Sequence, residues 1–206
     1  MYEKKPMAIE NRSMDIIDSY LRDVNFSAEE LPLVRRMIHT TGDPEYRKII
    51  RIRSDFFSAA KEAIASGAKI YTDTNMVRSG INKKALAKSG CTLITPIAEA
   101  EVAEEAEARG TTRSIVALEK AIERGATAFV FGNAPTALFR LLECIDAKRV
   151  APSFVVATVV GFVGAAESKA AIAAYDVPHL RTEGTKGGSN VAASVINGLL
   201  YEMGYR

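Results

Sequence analysis

The apolar positions change rhythm once along the chain. In the first third they recur at helical spacing. Ile9, Ile16, Ile17 and Tyr20 mark the inward side of a helix over residues 11–24. Ser27 followed three residues later by Glu30 reads as a capping box, so a second helix starts near Ala28. Pro32 is tolerated in its first turn, Leu31, Val34 and Ile38 form its buried side, and Gly42 ends it. Residues 44–53 read as a charged connection carrying Arg47, Lys48, Arg51 and Arg53, and residues 55–66 as a further helix closed by Gly67.

From there short apolar runs alternate with helical stretches. Strands are expected over residues 69–73, 91–94, 127–131, 154–160 and 178–182. Helices are expected over residues 77–88, 98–109, 113–124, 134–147, 165–174 and 189–203. The helix at 98–109 holds five glutamates, which marks an outer, wetted face. Near-continuous apolar strands between helices mean a parallel sheet covered on both faces. The expected fold is α/β: three layers around a mostly parallel five-stranded sheet, preceded by N-terminal helices. Residues 1–66 form the helical part and 67–206 the alternating part of one domain, with no linker or internal repeat.

Composition narrows the class. A chain of 206 residues with 48% hydrophobic content suits one large α/β domain. A net charge of +2, without a basic tail or recognition motif, gives no reason to expect nucleic acid as a partner. Cys91 and Cys144 lie far apart in apolar contexts, which implies a reducing compartment and hence the cytoplasm. The opening Met1-Tyr2-Glu3-Lys4-Lys5-Pro6 lacks the apolar stretch of a signal peptide. The uncharged stretch 151–166 is too short to span a bilayer and contains Pro152, Gly161 and Gly164, so no membrane partner is expected.

The chain has two histidines. His39 falls on the last turn of the second helix, with Arg35 four residues and Arg36 three residues before it, so both guanidiniums neighbour the imidazole. Thr40 and Thr41 add hydroxyls. Such an imidazole suits proton transfer to an anionic substrate. The same features also describe a half-exposed histidine capping a helix C-terminus. His179, in a short strand, reads as a core or edge residue.

In open α/β sheets, ligands bind beyond the carboxyl ends of the strands. Four loops there, at 72–80, 132–136, 161–169 and 184–189, are rich in glycine and polar residues. Each feeds a helix N-terminus, whose amides accept anions. None is a P-loop, since Lys169 follows Ser168 in place of the Gly-Lys-Ser/Thr ending, and none has the full dinucleotide glycine spacing. A glycine at any one such turn also serves positive φ or close backbone approach. Four such loops on one rim point to an edge that holds several anionic groups. Neither zinc-ligand spacing nor a nucleophile elbow appears, so no metal site is expected. Asp73 and Glu167 read equally as bases or as caps and loop staples. Arg113, opening a helix, reads equally as a surface arginine or a carboxylate binder.

Together these segments resemble the precorrin-8X methylmutases of cobalamin biosynthesis, including the cobalt-precorrin-8 branch. The resemblance rests on Ile9-Glu10-Asn11-Arg12-Ser13, on residues 36–43 around His39, on 72–81, on Thr112-Arg113-Ser114, on 132–139, on 161–169 and on Lys186-Gly187-Gly188-Ser189. The blocks Gly-Asn-Ala-Pro-Thr-Ala from Gly132 and Gly-Phe-Val-Gly-Ala-Ala-Glu-Ser-Lys from Gly161 are specific as a pair, and the order matches along nearly the whole chain.

The resemblance implies a flavodoxin-like fold and a homodimer with active sites near the subunit interface. It implies movement of one methyl group of a tetrapyrrole from C-11 to C-12, giving hydrogenobyrinate or cobyrinate. The family's histidine falls on His39, as proton donor or hydrogen-bond donor to a ring nitrogen. Ser13 and Arg113 fall on polar site positions, and Asn82 where some relatives carry threonine. Further candidate substrate contacts are Arg35, Arg36, Thr40, Met76, Arg78, Asn133, Thr136, Phe162, Lys186, Gly187 and Gly188, with Val77 and Val163 adding to an apolar floor. A sigmatropic shift asks for no cofactor, nucleophile or metal from the protein. It asks for a held macrocycle and a proton donor. The rival readings are a non-catalytic tetrapyrrole carrier, which would survive loss of His39, and a nucleotide-binding enzyme.

Overall fold

The computed structural model describes residues 4–206, so Met1, Tyr2 and Glu3 of the amino-terminal reading lie outside the described residues. Its strands are β1 (Ile50–Ile52), β2 (Lys69–Thr72), β3 (Thr92–Ile94), β4 (Ala128–Phe131), β5 (Phe154–Ala157) and β6 (His179–Thr182). They form one sheet in the order β1-β6-β5-β4-β2-β3. Every neighbouring pair is parallel except β1 with β6. Counted from β2, the five parallel strands run 2-1-3-4-5, the flavodoxin-like order.

The α/β class and the parallel sheet stand as expected, but the sheet has six strands and not five. The additional strand lies inside the stretch expected to be a charged connection. Ile50, Arg51 and Ile52 alternate apolar and charged, and they pair with Thr182, Arg181 and Leu180. Ile50 is buried, while the guanidinium of Arg51 reaches the Glu183 carboxylate at 2.6 Å. An antiparallel edge strand with a charged outer side fits this pattern.

The strands read as continuous apolar runs because both faces are covered. Ile70, Ala128, Val130, Phe154 and Val156 face one core, packed by α1 (Pro6–Tyr20), α2 (Leu31–Thr41), α4 (Phe56–Ala65) and α11 (Ser189–Glu202). Tyr71, Phe129, Phe131, Val155 and Ala157 face the other, under α8 (Arg113–Glu123), α9 (Pro135–Asp146) and α10 (Ala165–Ala171). This period-two split is the sheet's own pleat.

Three local expectations are corrected. The first helix runs Pro6–Tyr20, and its inward stripe is Met14, Ile17 and Leu21. Ile9, Ile16 and Tyr20 are 47, 51 and 40% exposed, because α1 touches the body along one narrow edge. The helix expected over 77–88 is two short ones, α5 (Asn75–Gly80) and α6 (Lys83–Ser89). Asn82 restarts it: its side chain accepts from the amides of Lys84 and Ala85 at 3.0 and 3.1 Å, a helix N-cap. The capping box closes both ways, Ser27 amide to Glu30 carboxylate at 2.7 Å and Glu30 amide to Ser27 hydroxyl at 3.3 Å, yet regular helix begins only at Leu31. The glutamate-rich helix is α7 (Ala100–Ala108), and α3 (Tyr46–Ile49) is a single turn leading into β1. Among the described residues no helix is long and apolar enough to cross a membrane, and Cys91 and Cys144 are buried free thiols.

Candidate active site

The order of the strands reverses between β2 and β4, so the crevice beyond their carboxyl ends is where an α/β sheet offers a ligand site. In this chain a side chain already fills it. The carboxylate of Asp73, fully buried, accepts from the amides of Gly132, Asn133 and Ala134 at 3.0, 2.7 and 2.8 Å. Burial pushes this carboxyl above its ordinary range, and the three amides pull it back. Of the two sequence readings of Asp73, base or loop staple, the geometry is that of the staple. The amides that would cradle a phosphate are taken, which counts against a nucleotide at this point. The open part of the rim lies outside it.

The second helix carries His39 towards that rim. α2 runs antiparallel to α11: Leu33 lies against Gly198, where an added Cβ would come within 2.4 Å of its side chain. Beyond the other end of α2, the Tyr46 hydroxyl donates to the carbonyl of Gly187 at 3.2 Å, just ahead of the start of α11. Gly42 closes α2 in the left-handed conformation, φ 65°, and its amide donates to Ile38. His39 is therefore exposed on the last turn, at the carboxyl edge of the sheet. It lines a pocket of about 330 Å³ with Ser13, Ile16, Ile17, Tyr20, Ile38, Gly42 and Pro44. Residues far apart in the sequence, Ser13 and His39, are thus brought together; the Ser13 hydroxyl also donates to Ile9 at 2.8 Å. Thr40 is exposed beside them.

The two arginines that precede His39 face elsewhere. Arg35 holds Asp18 through two contacts, at 2.5 and 3.0 Å. Arg36 lies over the Tyr201 ring, 4.6 Å from its centroid. Both line a separate cleft with Glu10, Glu202 and Arg206. Asn82, besides its capping role, donates to the Tyr201 hydroxyl at 2.8 Å, on the α11 side of the molecule.

Around the sheet's carboxyl edge the remaining candidates spread over five segments. Met76, after β2, and Phe162 and Val163, after β5, are 70, 90 and 88% exposed, apolar side chains on the carboxyl edge of the sheet. Arg78 and Arg113 are exposed and hold no ion pair among the described residues. Thr112 caps α8 through the Ile115 amide and meets the Thr136 hydroxyl at 3.2 Å, which sets Arg113 beside the start of α9. Asn133 is exposed on the turn whose backbone Asp73 holds. Lys186 bridges Asp43 and Glu45 at 2.6 and 2.5 Å, tying its loop to the turn after His39. The pairing lowers the Asp43 carboxyl and raises the Lys186 amine. Gly187 and Gly188 lie hard against the end of β5. A Cβ on Gly187 would sit 2.1 Å from the Thr158 carbonyl oxygen, and the Gly188 amide, at φ 131°, donates to that oxygen at 2.7 Å. Only glycine permits this approach.

Sequence reasoning missed the bond from Tyr46 to Gly187 and the pairing of Lys186 with Asp43, both of which join segments too distant for any local signal. His179 is a core residue, buried with its Nδ1 2.8 Å from the Val177 carbonyl, and burial lowers its imidazole. A cavity of about 560 Å³ lies at the opposite, amino ends of the strands among Glu62, Lys69, Thr127 and Ser153. None of the sequence-derived site residues reaches it. Among the described residues no three His, Cys, Asp or Glu side chains converge as metal ligands would.

Comparison with known proteins adds independent support. The family model described as precorrin-8X methylmutase matches residues 8–202. The cobalt-precorrin-8 methylmutase of Salmonella typhimurium is 42% identical over 98% of both chains. A precorrin-8X methylmutase of a Sinorhizobium species is 40% identical over 96% of this chain and 95% of its own. The crystal structure of the Thermus thermophilus precorrin-8X methylmutase superposes with a TM-score of 0.86 at 37% identity, covering 95% of each chain. With matches of this extent on a shared fold, the chain belongs to the precorrin-8X methylmutase family and is an isomerase.

Proposed function

We propose that this protein moves a methyl group from C-11 to C-12 of precorrin-8X or cobalt-precorrin-8, giving hydrogenobyrinate or cobyrinate, with His39 as proton donor to the macrocycle. The observation that carries the reading is an exposed imidazole at the carboxyl rim, sharing a mostly apolar pocket with Ser13. The reaction is an isomerisation: the bond to C-11 breaks as the bond to C-12 forms. A proton lent by His39 at a ring nitrogen makes the conjugated system electron-poor and is returned as the product forms.

Binding falls to the rim. The tetrapyrrole carries many carboxylates, and Arg78 and Arg113, which hold no ion pair among the described residues, are cations that meet them, with Thr40, Asn133 and Thr136 as neutral partners. Met76, Phe162 and Val163 offer the apolar floor on which a flat macrocycle would rest. In this reading Lys186, Gly187 and Gly188 contact substrate through a loop braced by Asp43 and Tyr46. Arg35, Arg36 and Asn82 reach substrate only by leaving Asp18, Tyr201 and the α6 cap. The chain acts as a homodimer in the cytoplasm. The second copy covers the exposed apolar side chains Ile9, Ile16 and Tyr20 of α1, whose exposure favours burial against a partner.

The test is to incubate the protein with metal-free and with cobalt-containing precorrin-8 and to follow the absorption spectrum. Conversion of either substrate supports the reading and identifies the branch. No spectral change with either one sinks it.

A further inference from the structure

Lys169 is fully buried, which is rare for a lysine, and no carboxylate lies within ion-pair distance of it among the described residues. It sits on α10, the helix that follows the apolar loop of Phe162 and Val163. Its amine donates to the carbonyl oxygen of Lys186 at 2.7 Å and to the Thr182 hydroxyl at 3.2 Å. The Thr182 hydroxyl donates to the same carbonyl at 2.9 Å. One backbone oxygen, directly before Gly187, thus collects two buried donors. An unpaired buried cation is costly, so the cluster has to be offset by what it holds. What it holds is the loop between β6 and α11. The neighbouring contacts belong to the same brace: the Gly161 amide donates to Thr185 at 3.1 Å, and the Gly188 amide to Thr158 at 2.7 Å.

We infer that Lys169 is a positioning residue: from beneath the rim it fixes the backbone of Lys186-Gly187-Gly188 against the end of β5 and so shapes the surface that receives the substrate. The inference rests on the reading of that segment as a substrate contact. Lys169 touches no substrate itself. It acts through one carbonyl, and it couples the β5–α10 loop to the β6–α11 loop.

Lys169→Met keeps the bulk and removes the donor, and Thr182→Val removes the second donor. Two measurements are made on each variant. In hydrogen exchange, the Gly188 and Gly161 amides should exchange at least about tenfold faster, as for a lost hydrogen bond, while amides in β4 stay protected. In kinetics with cobalt-precorrin-8, KM should rise about tenfold with kcat changed less than about threefold, the mark of lost binding rather than lost chemistry. Unchanged exchange at Gly188 and Gly161 in a folded Lys169→Met protein overturns the inference, and so does faster exchange with an unchanged KM. The wild-type turnover is measured first. Its absence would refute the proposed reaction, whereas the exchange data judge the brace on their own.

Discussion

The Asp73 carboxylate accepts the backbone amide of Asn133 at 2.7 Å, and with it the amides on either side. A side chain from the end of β2 thereby holds the turn after β4, across the point where the strand order reverses. That crevice is the ligand site in many sheets of this kind, and here it is closed from within. On the proposed function, the substrate's carboxylates are met further out, on the surrounding loops.

This arrangement predicts the effect of Asp73→Ala. Three buried amides would lose their acceptor together. The expected loss is about 3–5 kcal/mol of stability, as for one side of a buried charged pair. Urea unfolding measures it. A loss below about 1 kcal/mol would mean that other groups or solvent can replace the carboxylate.

Much of this was legible from the residues. β4 and β5 show as unbroken apolar runs because the sheet is covered on both sides. β1 does not, because three residues at an edge need only alternate, and the cations around Ile50 and Ile52 mask the alternation. The break at Asn82 was hidden because helical spacing continues across it. The outward turn of Ile9, Ile16 and Tyr20 was hidden for another reason: periodicity says that a helix has an apolar side, and packing decides how much of it is covered. Charge partners were the least legible. Asp18 lies 17 positions from Arg35 and Asp43 lies 143 from Lys186, and only the fold brings them together.

Arg113→Ala should weaken binding of the carboxylate-rich product and leave the fold unchanged. The guanidinium is exposed and holds no ion pair among the described residues, so its removal leaves no buried partner behind. A lost charge-assisted contact costs roughly 1.5–3 kcal/mol, or about ten- to a hundredfold in affinity. Arg35→Ala is the control, since Arg35 is already engaged by Asp18. Titration calorimetry with cobyrinate decides the matter: equal affinities for wild type and Arg113→Ala would place Arg113 outside the site.

His39→Ala should abolish methyl migration while the protein stays folded. The side chain is exposed at a helix end, where truncation is expected to change stability by less than about 0.5 kcal/mol. Removal of a general acid lowers turnover by about 10²–10⁴-fold. Turnover and thermal unfolding are measured on the same preparation. A folded variant with near-normal turnover would rule out the proton-donor role.

The last prediction concerns Lys169 and pH. Burial, helped by the charge of Arg181, brings its amine down from an ordinary 10.5 to about 8. The folded-state value thus lies below the unfolded one. Between the two, the unfolded chain holds a proton that the folded protein has released, so raising the pH through this window favours the folded state. Below about 8 both states are protonated and the gain disappears. Other lysines and tyrosines titrate in the same range, so the informative quantity is a difference. The stability of wild type relative to Lys169→Met should grow by about 1–3 kcal/mol between neutral pH and pH near 10. Urea midpoints for the two proteins across that range supply the measurement. Parallel pH profiles would show that the buried amine keeps its ordinary protonation, and then Arg181 and the desolvated surroundings could not be setting it.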